Sequence, residues 1–103
     1  MNKSGLIIFL SVCFAVTTND IYDNSWALII GIDKYQNVQK LNYAVADAES
    51  IKEILIHTFN FPEANISLIT DENATKQNII KSFSSITKNA KTNDRVVVFF
   101  AGH

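Results

Sequence analysis

Three glycines, one proline and one cysteine in 103 residues leave little material for several kinds of protein. A lone cysteine closes no disulfide within the chain, which excludes a small disulfide-stapled domain. Gly5, Gly31 and Gly102 are scattered. A dinucleotide site wants several glycines just after the first strand, and Gly31-Ile32-Asp33-Lys34-Tyr35 supplies one, so both that site and a P-loop fail. Charge of one sign is also missing. Nine basic residues against ten acidic ones give a formal net charge of -1, with no basic stripe to follow a nucleic-acid backbone. Internal repeats and low-complexity tracts are absent, and nothing calls for a cofactor or a metal. What remains is an ordinary globular composition, 48% hydrophobic and 18% charged, long enough for one domain.

The first residues stand apart from the rest. Met1-Asn2-Lys3 gives a positive start, and the uncharged run GLIIFLSVCFAV from Gly5 to Val16 has the length of a signal-peptide core but is short for a membrane span. Residues 1–18 are therefore expected to be an export signal, with Ala15-Val16-Thr17 as the cleavage region; a retained membrane anchor is the alternative. Cys13 lies inside the run as a small apolar residue, so after cleavage no thiol remains. The polar residues 19–25 read as a linker, and residues 26–103 as the domain.

Within that domain, apolar periodicity sets out five elements. Trp26-Ala27-Leu28-Ile29-Ile30-Gly31-Ile32 is apolar throughout, as a strand covered on both faces should be, and Gly31 admits a close neighbour. Polar residues 33–42 form a loop beyond it. Val45, Ala48, Ile51, Leu55 and Phe59 then recur at three- and four-residue steps, which predicts a helix from Ala44 to about Phe59, ended by Pro62. Residues 65–70 read as a short edge strand. Thr75 is an N-cap for a second helix, with Ile79, Phe83, Ile86 and Ala90 as its buried stripe. Last comes Asp94-Arg95-Val96-Val97-Val98-Phe99-Phe100-Ala101-Gly102-His103, a second strand buried on both faces.

Strand and helix alternate, so the fold class is α/β, with parallel strands in spatial order 2-1-3 and flanking helices. This leaves one flank of the last strand open. An open apolar edge is an aggregation hazard, so a further strand is expected after His103 and the chain reads as the front part of a longer protein. Reacting groups of such sheets gather beyond the strand carboxyl ends, where a histidine after Gly102 is well placed for acid-base work or thiol activation.

Three stretches taken together resemble the caspase/metacaspase-like cysteine peptidase domain: Trp26 to Ile32 as its first strand; Leu41-Asn42-Tyr43-Ala44-Val45-Ala46-Asp47-Ala48 as its "NDA"-type helix start; and Val98-Phe99-Phe100-Ala101-Gly102-His103 as its "FF[SA]GHG" motif. The resemblance implies a three-layer fold, truncated here after the third strand, and peptide-bond hydrolysis by a cysteine-histidine dyad. By that similarity His103 is the catalytic histidine and Asp47 the carboxylate that receives a basic side chain before the scissile bond. Animal caspases carry an arginine where this chain has Leu41, so an Arg or Lys preference is expected over Asp. The nucleophilic cysteine is expected beyond residue 103, which leaves these residues inactive alone. The expected partner is a peptide or protein substrate, with no nucleic acid and no membrane after signal cleavage.

Plainer readings stand beside these. An inactive caspase-like domain serving as a scaffold is the alternative function, and an unrelated α/β binding domain is favoured if the last strand does not lie beside the first. Asp47 also suits a first helical turn through the macrodipole alone. Asp33, just beyond the first strand, reads as a solvated loop residue ahead of one lining the same cleft, His57 as a helix-end cation or a partly packed side chain, and Trp26 and Tyr43 as packing residues.

Overall fold

The computed structural model describes residues 7–12, 22–34 and 43–102. Three strands run parallel: β2 (Ser25–Gly31) lies between β3 (Ile66–Thr70) and β4 (Arg95–Gly102). Helix α1 (Ala44–His57) joins β2 to β3, and α2 (Lys76–Asn89) joins β3 to β4. Parallel neighbours need such crossovers, and the resulting order is the 2-1-3 arrangement expected from the apolar runs. Because β4 pairs with β2, the condition for an unrelated binding domain is not met.

Side chains alternate across the sheet and divide the core in two. Ala27, Ile29, Val97, Phe99 and Ala101 face Ala44, Ala48 and Leu55 of α1, with Phe61 closing the same cluster. Leu28, Ile30 and Ile69 pack against Ile86 of α2 on the other face. Both faces of the central strand are thus dry, which is why its sequence shows no polar alternation.

Helix α2 starts as its sequence predicts: the Thr75 hydroxyl accepts the Asn78 N–H at 3.1 Å. Its buried stripe is narrower than expected. Ile86 is buried, and Ile79 and Ala90 are half-buried, but Phe83 is 48% exposed because the helix turns Ser82 rather than Phe83 toward the sheet. The helix covers β2 and β3, and Val96, Val98 and Phe100 of β4 remain half-buried on that face. Helix α1 also ends early, at His57, leaving Phe59 49% exposed. Asn60 takes a left-handed φ of 60°, which asparagine tolerates well, and the Phe61 N–H closes on the Leu55 carbonyl before Pro62 is reached. His57 points outward and meets Glu53 one turn back at 3.1 Å.

The flank of β4 expected to stand open is covered. Strand β1 (Ile7–Val12) pairs with it antiparallel, from Ile7 opposite Gly102 to Val12 opposite Val97, completing a four-stranded sheet of order β1-β4-β2-β3. An unpaired row of N–H and C=O groups on an apolar strand recruits any extended apolar segment within reach. These six residues belong to the stretch read above as an export signal. Among the described residues, no helix is long and apolar enough to cross a membrane.

The amino ends of the strands are tied by side chains. Asp94 Oδ2 accepts the Trp26 indole N–H and the Lys91 backbone N–H, both at 2.9 Å. Arg95 lies over the rings of Phe61 and Tyr22, while its guanidinium donates to the Ser25 hydroxyl and the Phe59 carbonyl. The Asn65 amide donates to the Asn24 side chain at 2.8 Å and to the Ser25 carbonyl at 3.1 Å.

The Lys91 N–H, with help from the Trp26 indole, holds the Asp94 carboxyl below the ordinary aspartate range. A depressed folded-state pKa contributes stability that is complete above the unfolded value and is lost as pH falls through the folded one. Denaturant midpoints measured at decreasing pH should therefore fall less steeply for Asp94→Ala than for the wild type across that window. Parallel slopes would remove Asp94 from the acid response.

Candidate active site at the carboxyl edge of the sheet

Gly31 closes β2 and stands between two neighbours. In the sheet it pairs with Thr70 of β3 and Ala101 of β4, and the next residue, Ile32, donates its N–H to the Ala101 carbonyl at 3.0 Å. Above the sheet it faces the first turns of α1. A Cβ at this position would come within 2.8 Å of both the Ala44 carbonyl oxygen and the Ala48 Cβ, and 3.1 Å from the Val45 Cα. Only glycine permits that approach. The neighbour that Gly31 was expected to admit is the helix backbone.

This contact brings the start of α1 beside the carboxyl end of β4. Asp47 lies in that first turn, half-buried, with its N–H donating to the Tyr43 carbonyl at 2.8 Å. Ala48, the next residue, touches Gly31, whose strand partner is Ala101. His103 follows Ala101 by two residues in sequence but lies outside the described residues, as do Leu41 and the rest of residues 35–42.

Asp33 corrects the sequence reading. It is 8% exposed rather than solvated, and its Oδ1 accepts the Ala44 N–H at 2.7 Å and the Val45 N–H at 3.4 Å. Burial is tolerated because the carboxylate replaces water with amide donors at the positive end of a helix. A second carboxylate supports the first: Asp71 Oδ1 accepts the N–H groups of Asp33 at 2.9 Å and Lys34 at 3.1 Å. Asp71 sits just past β3 in a left-handed conformation, φ 45°. Tyr43 precedes the helix and makes no side-chain capping bond, so the amides of the first turn needed an acceptor from elsewhere. Tyr43 itself is 71% exposed and packs little.

Among the described residues, no group of three or more His, Cys, Asp or Glu side chains could hold a metal ion. The edge offers carboxylates and backbone groups around a helix start, at the strand ends where α/β sheets place their ligands.

These features define a three-layer α/β domain whose parallel strands share this carboxyl edge. Within that class the chain belongs to the caspase domain family of cysteine-type peptidases, which matches residues 24–103. It is 29% identical over 86 residues to Metacaspase-1 of Eremothecium gossypii, covering 78% of this chain and 19% of that protein. Metacaspase-1A of Aspergillus oryzae is 30% identical over 83 residues, covering 75% and 20%. Metacaspase-7 of Arabidopsis thaliana is 33% identical over 82 residues, again covering 75% and 20%. The chain spans about a fifth of the length of the curated relatives it matches.

Filling the space at Gly31 tests the joint on which this edge is built. Gly31→Val should destabilise the fold by about 1–3 kcal/mol through overpacking against helix backbone, read as a lower urea midpoint with an unchanged slope. An unchanged midpoint would mean that α1 can move away freely.

Proposed function

We propose that this chain carries the histidine-bearing part of a cysteine endopeptidase that cleaves after basic residues. The observation that supports it best is the meeting of the first turn of α1 with the end of β4 across Gly31, where the family resemblance puts its substrate carboxylate and its histidine. In this reading His103 is the dyad histidine and the nucleophilic cysteine comes from the chain beyond it. The imidazole keeps the thiol ionised. The thiolate attacks the scissile carbonyl, and the imidazolium gives its proton to the leaving amine as the C–N bond breaks. Water, deprotonated by the same imidazole, then hydrolyses the thioester. Asp47 receives the Arg or Lys side chain before the scissile bond through a charge-assisted hydrogen bond.

The full-length protein tests this with peptides carrying arginine or its neutral isostere citrulline before the scissile bond. His103→Ala should lower kcat by roughly 10²–10⁴-fold on both peptides. Asp47→Ala should leave citrulline cleavage in place and lower the arginine preference by roughly 10–100-fold, the worth of a hydrogen bond to a charged group. A folded full-length protein that cleaves neither peptide would favour the scaffold reading.

Residues 1–18 serve in this proposal as an export signal. Their removal takes β1 away from β4 and frees that edge for another strand. Mass spectrometry of the exported protein should find a mature amino terminus within about two residues of Asn19. A membrane-bound product that keeps Met1 would show a retained anchor instead.

A further inference from the structure

Helix α1 starts without a cap of its own. The N–H groups of Ala44, Val45 and Ala46 have no intrahelical acceptor, and Tyr43 offers no side chain to them. The acceptor arrives from eleven residues upstream. Asp33, buried at the end of β2, takes the Ala44 N–H at 2.7 Å and reaches the Val45 N–H at 3.4 Å. Its own backbone is held from β3, where Asp71 accepts the Asp33 and Lys34 N–H groups. The left-handed backbone at Asp71 is sparsely populated by non-glycine residues and is retained where surrounding bonds require it. Two carboxylates thus link the ends of β3 and β2 to the turn that carries Asp47.

We propose that Asp33 is a positioning residue: it fixes the first turn of α1 so that the Asp47 carboxylate stands where the basic side chain of the substrate arrives, and Asp71 in turn fixes Asp33. The proposal rests on the peptidase reading above and on its assignment of Asp47. A helix start tied only by apolar contact could slide along the sheet, and a carboxylate displaced by an ångström loses its hydrogen-bond geometry. A cap from another strand removes that freedom without drawing on the Asp47 carboxylate.

The test uses the full-length protein as wild type, Asp33→Ala, Asp33→Asn, Asp71→Ala and Asp47→Ala. For each, kcat/KM is measured on the arginine and citrulline peptides, and amide exchange is followed at Ala44 and Val45. Asp33→Ala should reduce the arginine-to-citrulline ratio by roughly tenfold or more, through KM for the arginine peptide, with faster exchange at both amides. Asp33→Asn keeps an acceptor oxygen and should restore most of the ratio. Combined with Asp47→Ala, the Asp33 change should alter the ratio no further, as expected of two residues acting through one group. A folded Asp33→Ala protein with the wild-type ratio, while Asp47→Ala has lost it, overturns the proposal. If Asp33→Ala does not fold, Asp71→Ala decides it by the same ratio, and an unchanged ratio there also overturns it. Failure of the underlying reading looks different: the wild type cleaves neither peptide, or Asp47→Ala keeps the full ratio, and the positioning role falls with it.

Discussion

At Gly31, strand β2 pairs with strand β4 and meets the first turns of helix α1, and a single methyl group would not fit there. The Gly31 Cα faces the Ala44 carbonyl and the Ala48 methyl while its backbone pairs with Ala101. Helix backbone therefore approaches the sheet here to a distance that a side chain on β2 would not allow. Everything attributed to the site follows from that proximity. Asp47 belongs to the turn that the glycine admits, and the motif ending in His103 begins on the strand that the glycine pairs with. The small residues Ala44, Ala48 and Ala101 are all fully buried around it, and larger ones would have pushed the layers apart.

The two edges of the sheet are held by different chemistry. At the amino ends, Trp26 and Asp94 bond directly, and the Arg95 guanidinium is stacked on rings and bonded to Ser25 and Phe59. Those side chains are consumed in structure. At the carboxyl ends, Asp33 and Asp71 each accept backbone N–H groups through one oxygen and so tie the start of α1 to β2 and β3. In α/β sheets ligands gather beyond the carboxyl ends of the strands, the edge that these bonds hold together.

Much of this was legible because apolar burial leaves a direct mark on sequence. Both central strands announced themselves as unbroken apolar runs, and each lies within a residue of its expected bounds at the ends described. Thr75 announced α2, and Gly31 announced a close neighbour. Stripes were less legible: Phe59 and Phe83 are apolar and correctly spaced, yet both are about half exposed, because spacing does not say how far a neighbouring layer extends. The covering of β4 by Ile7–Val12 could not be read locally either, since an apolar run suits an export signal and an edge strand equally.

The line between the two sources of information falls at interactions between residues far apart in the chain. Composition and periodicity by themselves determined an α/β domain, the order of its parallel strands and the absence of a glycine-rich phosphate site, because each depends on local pattern or on the reach of a crossover. Asp33 shows what pattern cannot supply. In sequence it is a polar residue in a polar loop, indistinguishable from a solvated one. Only the tertiary structure, by bringing the end of β2 under the uncapped start of α1 and the Asp71 carboxylate against its backbone, made it a buried cap. Hydrogen bonds of that kind form between groups that folding brings together, so their partners are decided by the packing of layers and not by the residues on either side.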